Sequence, residues 1–295
     1  MSFTYKVVEN GCYIVNRLTG NFIKRYMYQG FAKVDDRDEL PRYMYRKFAV
    51  QRVEHKGFPV FVIRSRNIKK RGRQGILFLA GGGGLSRPMS IHFDTVTRLI
   101  QETGATVYFA YYPLAPKENV RGALAWLEDV YQAMQRRYLP RNIVFVGDSA
   151  GANLALSLSY RVSKKPAKVI AISPAPGLTN GRDREIRKAM ETTDPLLNVE
   201  MNDLIAERWS KDVPLDDPDI NPEGIDYSNF SDILMFYGSH ELFYPHVKRL
   251  VQRIREDGTA LETVERPMCH DWALCSFFPE GQMAIKKMRD FILSE

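Results

Sequence analysis

The chain has 295 residues, of which 44% are hydrophobic, so it can bury the core of one large domain or of two smaller ones. Its net charge of +7 is uneven, because residues 1–75 hold 17 basic and 6 acidic side chains. Three cysteines are too few for a disulfide framework, and neither a signal peptide nor an apolar run of membrane-spanning length is present, so we expect a cytoplasmic protein without stable membrane insertion.

The first third of the chain differs from the rest in composition. Residues 1–45 are rich in Tyr and Arg without a clear period, and their aromatic side chains could line a substrate entrance or pack against the main domain. The β-rich runs 48–53 and 58–63, separated by Lys56-Gly57, predict a hairpin. The basic run 64–73 that follows could bind anionic membranes or nucleic acid. Because no nucleic-acid motif accompanies it, we favour a solvated loop and expect no nucleic-acid partner.

Strand and helix patterns alternate from residue 75 onward. Strands are predicted at 75–79, 106–110, 142–146, 167–172, 233–237 and 261–265, and helices near 92–102, 119–137, 151–162, 245–256 and 280–293. This alternation predicts a mostly parallel central sheet flanked by helices. The segment 175–230 breaks the pattern, with helical pieces at 183–192 and 199–210, and we interpret it as an insertion above the sheet.

The most specific motif follows the strand at 142–146. There the sequence runs Gly-Asp-Ser-Ala-Gly over residues 147–151 and continues into a small-residue helical run. This is the strand–turn–helix context of a nucleophile elbow, with Gly147 and Gly151 required because the turn is tight. The alternative is an ordinary strand-to-helix turn with a serine near the helix N-cap. The context favours Ser149 as a nucleophile.

A serine nucleophile needs a base, an acid to orient the base, and donors for the oxyanion. His270, in the loop after the last strand, is the favoured base, and His92 near the glycine loop is a second candidate. Glu241, after the strand at 233–237, is the favoured acid, because the adjacent Asp271 is expected to diverge from His270. The order Ser149, Glu241, His270 is that of α/β-hydrolases.

The oxyanion donors are expected to be backbone N–H groups. One is that of Ala150, after the nucleophile, and the others come from the glycine loop 81–84, where the absence of side chains allows close approach. A phosphate-binding loop is the competing interpretation, but no Lys-Ser/Thr follows the glycines.

Together these segments resemble the hormone-sensitive-lipase-like family of α/β-hydrolases over about residues 75–290. The matching segments are Gly147–Ala155 (nucleophile motif), Tyr112–Lys117 (Tyr-Arg-Leu-Ala-Pro-Glu in the family), Glu241–Phe243 (Asp-Pro-Leu) and His270–Trp272 (His-Gly-Phe). The family's His-Gly-Gly-Gly is Ala-Gly-Gly-Gly here, over residues 80–83. The resemblance implies one α/β-hydrolase domain over residues 1–295, with a cap from about 1–45 and 175–230. It also implies oxyanion donors at Gly82, Gly83 and Ala150.

We therefore expect a serine carboxylesterase that hydrolyses short-chain acyl esters and needs no metal or cofactor. Its partner would be a small-molecule ester, and the chain could also form a homodimer. Trp272 and Phe277 could be walls of a small acyl pocket or core aromatics. The alternatives are an amidase or formamidase with the same triad, and a catalytically silent hydrolase fold that binds a ligand. A silent member would be expected to lack a nucleophile or a base, and candidates for both are present.

Overall fold

The structure is a computed structural model that describes residues 1–32, 38–176 and 182–294. These residues form one eight-stranded sheet in the order β1-β2-β4-β3-β5-β6-β7-β8. The strands are β1 (Phe48–His55), β2 (Phe58–Ser65), β3 (Gly75–Leu79), β4 (Thr106–Ala110), β5 (Ile143–Asp148), β6 (Lys168–Ile172), β7 (Asp232–Gly238) and β8 (Leu261–Arg266). Strand β2 pairs antiparallel with β1, its hairpin partner, and with β4, and the strands β3 through β8 run parallel to one another. The predicted mostly parallel α/β sheet is confirmed.

Ten α-helices accompany the sheet in the described part of the chain. They are α1 (Phe3–Leu18), α2 (Phe22–Ala32), α3 (Arg42–Lys47), α4 (Ser90–Thr103), α5 (Val120–Gln135), α6 (Ala150–Arg161), α7 (Arg182–Met190), α8 (Val199–Ile205), α9 (Tyr244–Glu256) and α10 (Pro279–Leu293). One π-helical turn, Ala206–Ser210, continues α8. None of these helices is both long enough and apolar enough to cross a bilayer.

The central strands are buried on both faces, which explains their continuous apolar sequence. Successive side chains of a strand point to opposite faces. In β3, Leu77 and Leu79 belong to the apolar core that includes residues of α5, α6 and α9, whereas Ile76 and Phe78 belong to the core that includes residues of α4 and α10. The sheet therefore separates two apolar cores, with helices covering each.

The N-terminal segment, for which no regular element is predicted, forms α1, α2 and α3. The buried residues of α1 are Tyr5, Glu9 and Asn16, so the side facing the protein is largely polar. The apolar residues that α1 carries at helical spacing, such as Phe3 and Leu18, lie on its exposed side, so the helix lacks the apolar buried side by which such helices are recognised. The prediction missed α1 for that reason.

Candidate active site

The parallel topology brings three loops to one edge of the sheet. Ser149 follows β5, Glu241 follows β7 and His270 follows β8, and the carboxyl ends of neighbouring parallel strands share an edge. Residues far apart in sequence are thereby brought into one site.

Ser149 occupies a strained turn between β5 and α6. Its φ of +51° is unusual for a residue with a side chain. A Cβ at position 147 would lie 2.2 Å from the carbonyl oxygen of Gly151, and one at position 151 would lie 2.0 Å from that of Leu79. The steric requirement for Gly147 and Gly151 is confirmed, and the turn presents the Ser149 hydroxyl at the N-terminus of α6.

His270 lies between Ser149 and Glu241. Its Nε2 is 3.0 Å from Ser149 Oγ, and its Nδ1 is 3.3 Å from Glu241 Oε2. Glu241 is fully buried, and its other oxygen accepts hydrogen bonds from the Ser173 hydroxyl, at 2.6 Å, and from the Gly238 N–H. The three residues proposed from the sequence thus form one hydrogen-bonded chain, and Ser173 is a supporting residue that the sequence pattern did not reveal.

Asp271 does not diverge from His270 as the sequence predicted. Its backbone adopts the left-handed conformation, with φ +57°, and this turns Oδ2 to within 3.4 Å of His270 Nε2. Asp271 therefore approaches the imidazole from the Ser149 side, whereas Glu241 holds the opposite nitrogen.

The two carboxyl groups control the charge of the imidazole. Burial disfavours the imidazolium, but Asp271 and Glu241 outweigh burial and raise the pKa of His270 to about 10. Burial also raises the pKa of Glu241 above the ordinary glutamate value. The two carboxyl groups therefore stabilise the imidazolium that forms when His270 accepts a proton. Because the ring must be deprotonated before it can act as a base, activity should rise with pH.

The glycine loop after β3 faces the same space as the Ser149 hydroxyl. Gly82 and Gly83 have φ of +121° and +63°, and both line one cavity with Ser149 and Ala150. Within the described part of the chain, the N–H groups of Gly82, Gly83 and Ala150 form no hydrogen bond. These three donors remain available to a bound group.

His92 anchors this loop and does not contact Ser149. Its Nδ1 accepts a hydrogen bond from the Met89 N–H at 2.8 Å, so its Nε2 carries the proton and donates to Asp148 Oδ2 at 3.0 Å. The same oxygen accepts the Gly81 N–H at 3.0 Å. The expectation of His92 as a second candidate base is wrong, because its ring is held on the buried Asp148.

A cavity opens above Ser149, and its empty space of about 1050 Å³ includes the open solvent at its mouth. Its walls are mainly apolar and include Met27 of α2 as well as side chains of the insertion between β6 and β7: Leu196, Leu197, Met201, Ile205 and Trp209. Trp272 is buried against Phe236, and Phe277 is 65% exposed, so neither is a wall of this cavity.

The sheet topology, the nucleophile elbow at Ser149 and the cavity above it are together typical of an α/β-hydrolase. A family model described as alpha/beta hydrolase fold matches residues 76–274, so the chain belongs to this family. The α/β-hydrolase family and fold that the sequence resemblance implies are confirmed.

Individual relatives agree with this assignment. The chain is 28% identical over 242 residues to an esterase of Acinetobacter venetianus, covering 79% of each chain. It is 37% identical over 110 residues to the carboxylesterase/phospholipase LipF of Mycobacterium tuberculosis, covering 36% of this chain and 30% of LipF. The crystal structure of EstE7, a hormone-sensitive-lipase homologue from a metagenome library, superposes with a TM-score of 0.80 at 21% identity, over 99% of this chain and 98% of EstE7.

Proposed function

We propose that the protein is a serine carboxylesterase that hydrolyses short-chain acyl esters through an acyl-enzyme intermediate. The observation that carries this proposal is the hydrogen-bonded chain Ser149–His270–Glu241, placed beside three backbone N–H groups that have no partner among the described residues. The esterase of Acinetobacter venetianus, aligned over 79% of this chain, supports ester hydrolysis as the reaction.

In the first half of the reaction, Ser149 Oγ attacks the ester carbonyl carbon while His270 Nε2 takes the hydroxyl proton. Glu241 stabilises the resulting imidazolium and fixes the tautomer through Nδ1. The oxyanion accepts hydrogen bonds from Gly82, Gly83 and Ala150. His270 then protonates the alcohol, which leaves the acyl group on Ser149.

In the second half, water enters in place of the alcohol. His270 takes a proton from this water as it attacks the acyl carbon, and the acid is released when Ser149 recovers its proton. Every proton is transferred by His270, so no metal or cofactor is required for the chemistry.

The preference for a short acyl chain is supported by the roof of the cavity. A Cβ at position 83 would lie 2.6 Å from Ile205, and one at position 84 would lie 2.2 Å from the Trp209 ring. The insertion therefore presses directly on the glycine loop and limits the space near Ser149. We propose that α2 and this insertion together form the cap over the site.

The test is hydrolysis of p-nitrophenyl esters of increasing acyl length by the wild type and by Ser149→Ala. We expect the highest kcat/KM with acetate or butyrate and a loss of about 10⁴-fold or more in the variant. Ser163→Ala, at an exposed serine beyond α6, is the matched control and should retain activity. Undiminished activity in Ser149→Ala would refute the nucleophile assignment.

The same preparation distinguishes the alternatives. Faster turnover of acyl anilides than of the corresponding esters would make the protein an amidase with the same nucleophile. Absence of turnover on every ester and amide, combined with tight ligand binding in the cavity, would identify a silent hydrolase fold.

A further inference from the structure

Helix α1 presents an apolar side to the solvent. Phe3, Val7, Ile14 and Leu18 recur at helical spacing and are 81%, 53%, 57% and 78% exposed. Phe22 and Tyr26 of α2 extend this surface; their rings stack with centroids 6.5 Å apart and both are exposed. We call these six side chains the outer apolar face.

The opposite side of α1 is attached to the protein by polar contacts. The Tyr5 hydroxyl donates to Glu9 Oε1 at 2.9 Å and accepts the Cys269 N–H at 2.6 Å. His240 donates to the same glutamate oxygen at 2.8 Å, and Asn16 Nδ2 donates to the Pro195 carbonyl at 2.9 Å. These hydrogen bonds hold the helix in place through its other side, and the outer apolar face is not buried by packing within the described part of the chain.

The exposed charges that α1 and α2 themselves carry all have one sign. In residues 1–30 the exposed charged side chains are Lys6, Arg17 and Arg25, and the single carboxylate, Glu9, is buried. A large exposed apolar surface marks an interaction site, and a helix with apolar residues flanked by Lys and Arg suits the surface of an anionic membrane.

We propose that the outer apolar face docks the protein on an anionic lipid–water interface, with α1 lying in the plane of the membrane. The apolar side chains would enter the acyl boundary, while Lys6, Arg17 and Arg25 would contact anionic headgroups. The charge pattern disfavours a second copy of this chain as the occupant. In a two-fold dimer through this face, Lys6, Arg17 and Arg25 of one copy would face the same cations of the other copy. Residues 1–30 offer no exposed carboxylate to pair with them.

Helix α2 connects the outer apolar face with the cavity above Ser149. It supplies Phe22 and Tyr26 to the outer apolar face and Met27 to the cavity wall. A docked membrane would therefore contact a helix that also forms part of the cavity wall.

The test is flotation of the intact protein with phosphatidylcholine vesicles and with vesicles of phosphatidylcholine and phosphatidylglycerol in equal parts. We expect binding to the anionic vesicles that weakens by about tenfold or more in zwitterionic vesicles or at high salt. Phe3→Ser/Leu18→Ser should abolish binding, whereas Leu139→Ser, which removes an apolar side chain that is 54% exposed elsewhere, should not.

The role of charge is tested separately by Lys6→Glu/Arg17→Glu. The matched control is Lys69→Glu/Lys70→Glu, an equal charge change in the other basic segment, and only the first pair should lose anionic binding. Loss of binding in the second pair alone would overturn the assignment to α1. Hydrolysis of soluble p-nitrophenyl acetate should be unchanged in all these variants, which reports that each one is folded.

Flotation is repeated with Ser149→Ala, which lacks the proposed nucleophile but keeps the outer apolar face. Failure of docking and failure of the proposed catalysis are therefore distinguishable. Absence of wild-type binding to anionic vesicles would overturn the proposal. A wild-type dimer in size-exclusion chromatography that becomes monomeric in Phe3→Ser/Leu18→Ser, without vesicle binding by either protein, would show that a second copy covers the face.

Discussion

Replacing His92 by alanine tests whether the glycine loop is positioned from α4. The His92 side chain is buried and donates to Asp148 Oδ2, the oxygen that also accepts the Gly81 N–H. Without the imidazole, the buried Asp148 carboxylate loses one of its two donors. The loop that supplies Gly82 and Gly83 is then held less firmly.

The size of the effect follows from this contact. The imidazole is a neutral donor to the Asp148 carboxylate, and a hydrogen bond to a charged group contributes about 1.5–3 kcal/mol. Because Asp148 keeps the Gly81 donor at 3.0 Å, we expect the free energy of unfolding to fall by about 2–3 kcal/mol. Displacement of the oxyanion donors should lower kcat by about 10²-fold, with little change in KM.

Two measurements are needed, urea unfolding and steady-state hydrolysis of p-nitrophenyl acetate. Asp148→Asn retains an acceptor oxygen for both donors and should be the milder change. His92→Ala/Asp148→Asn should regain part of the stability, because no unpaired carboxylate remains, but not the kcat. Leu99→Ala, at a fully buried position of α4, is the control for destabilisation alone.

The reasoning would be refuted by a His92→Ala variant that loses stability to the same extent as Leu99→Ala but keeps the wild-type kcat. In that case His92 would contribute to packing only, and the loop would be positioned by its own backbone conformation.

Three further predictions concern the site itself. Asp271→Asn removes a carboxylate that raises the pKa of His270. The rising limb of kcat/KM in a pH–rate profile reports deprotonation of this base and should move about one unit toward lower pH. An unmoved limb would show that Asp271 does not set this pKa. Glu241→Gln should lower kcat by about 10⁴-fold, because the imidazolium loses its negatively charged partner. Glu241→Asp keeps a carboxylate and should retain part of the wild-type kcat in the same assay. Gly83→Ala should nearly abolish turnover, because φ is +63° there and the new methyl would lie 2.6 Å from Ile205, and circular dichroism would show whether the fold survives.

The sheet and its helices could be predicted because their apolar patterns are local. Strands such as β3 are apolar throughout, and α5 buries Leu124, Leu127 and Met134 at helical spacing, so the sequence shows both elements directly. The elbow could be predicted for a related reason, since Gly147 and Gly151 are required by contacts within a few residues of Ser149 or with the adjacent strand.

Other features depend on long-range contacts or on a single backbone angle. The contact of His92 with Asp148 requires α4 to approach the end of β5 across 56 positions of sequence. The turn of Asp271 toward His270 depends on a φ of +57° that its sequence neighbours do not signal. Neither can be read from composition or spacing, because both arise only after the sheet has formed.

Two of the departures from the family's motifs are accommodated by contacts with other residues of the site. Ala80 provides no side chain to position the glycine loop, and the loop is instead held through Asp148, whose Oδ2 receives donors from Gly81 and His92. Glu241 is longer than the family's aspartate, and the Ser173 hydroxyl fixes its carboxylate at 2.6 Å while also accepting the Asp271 N–H at 3.0 Å. A change within a motif therefore need not remove the contact that the motif supplies, since a buried acceptor can be satisfied by any donor that the fold brings to it.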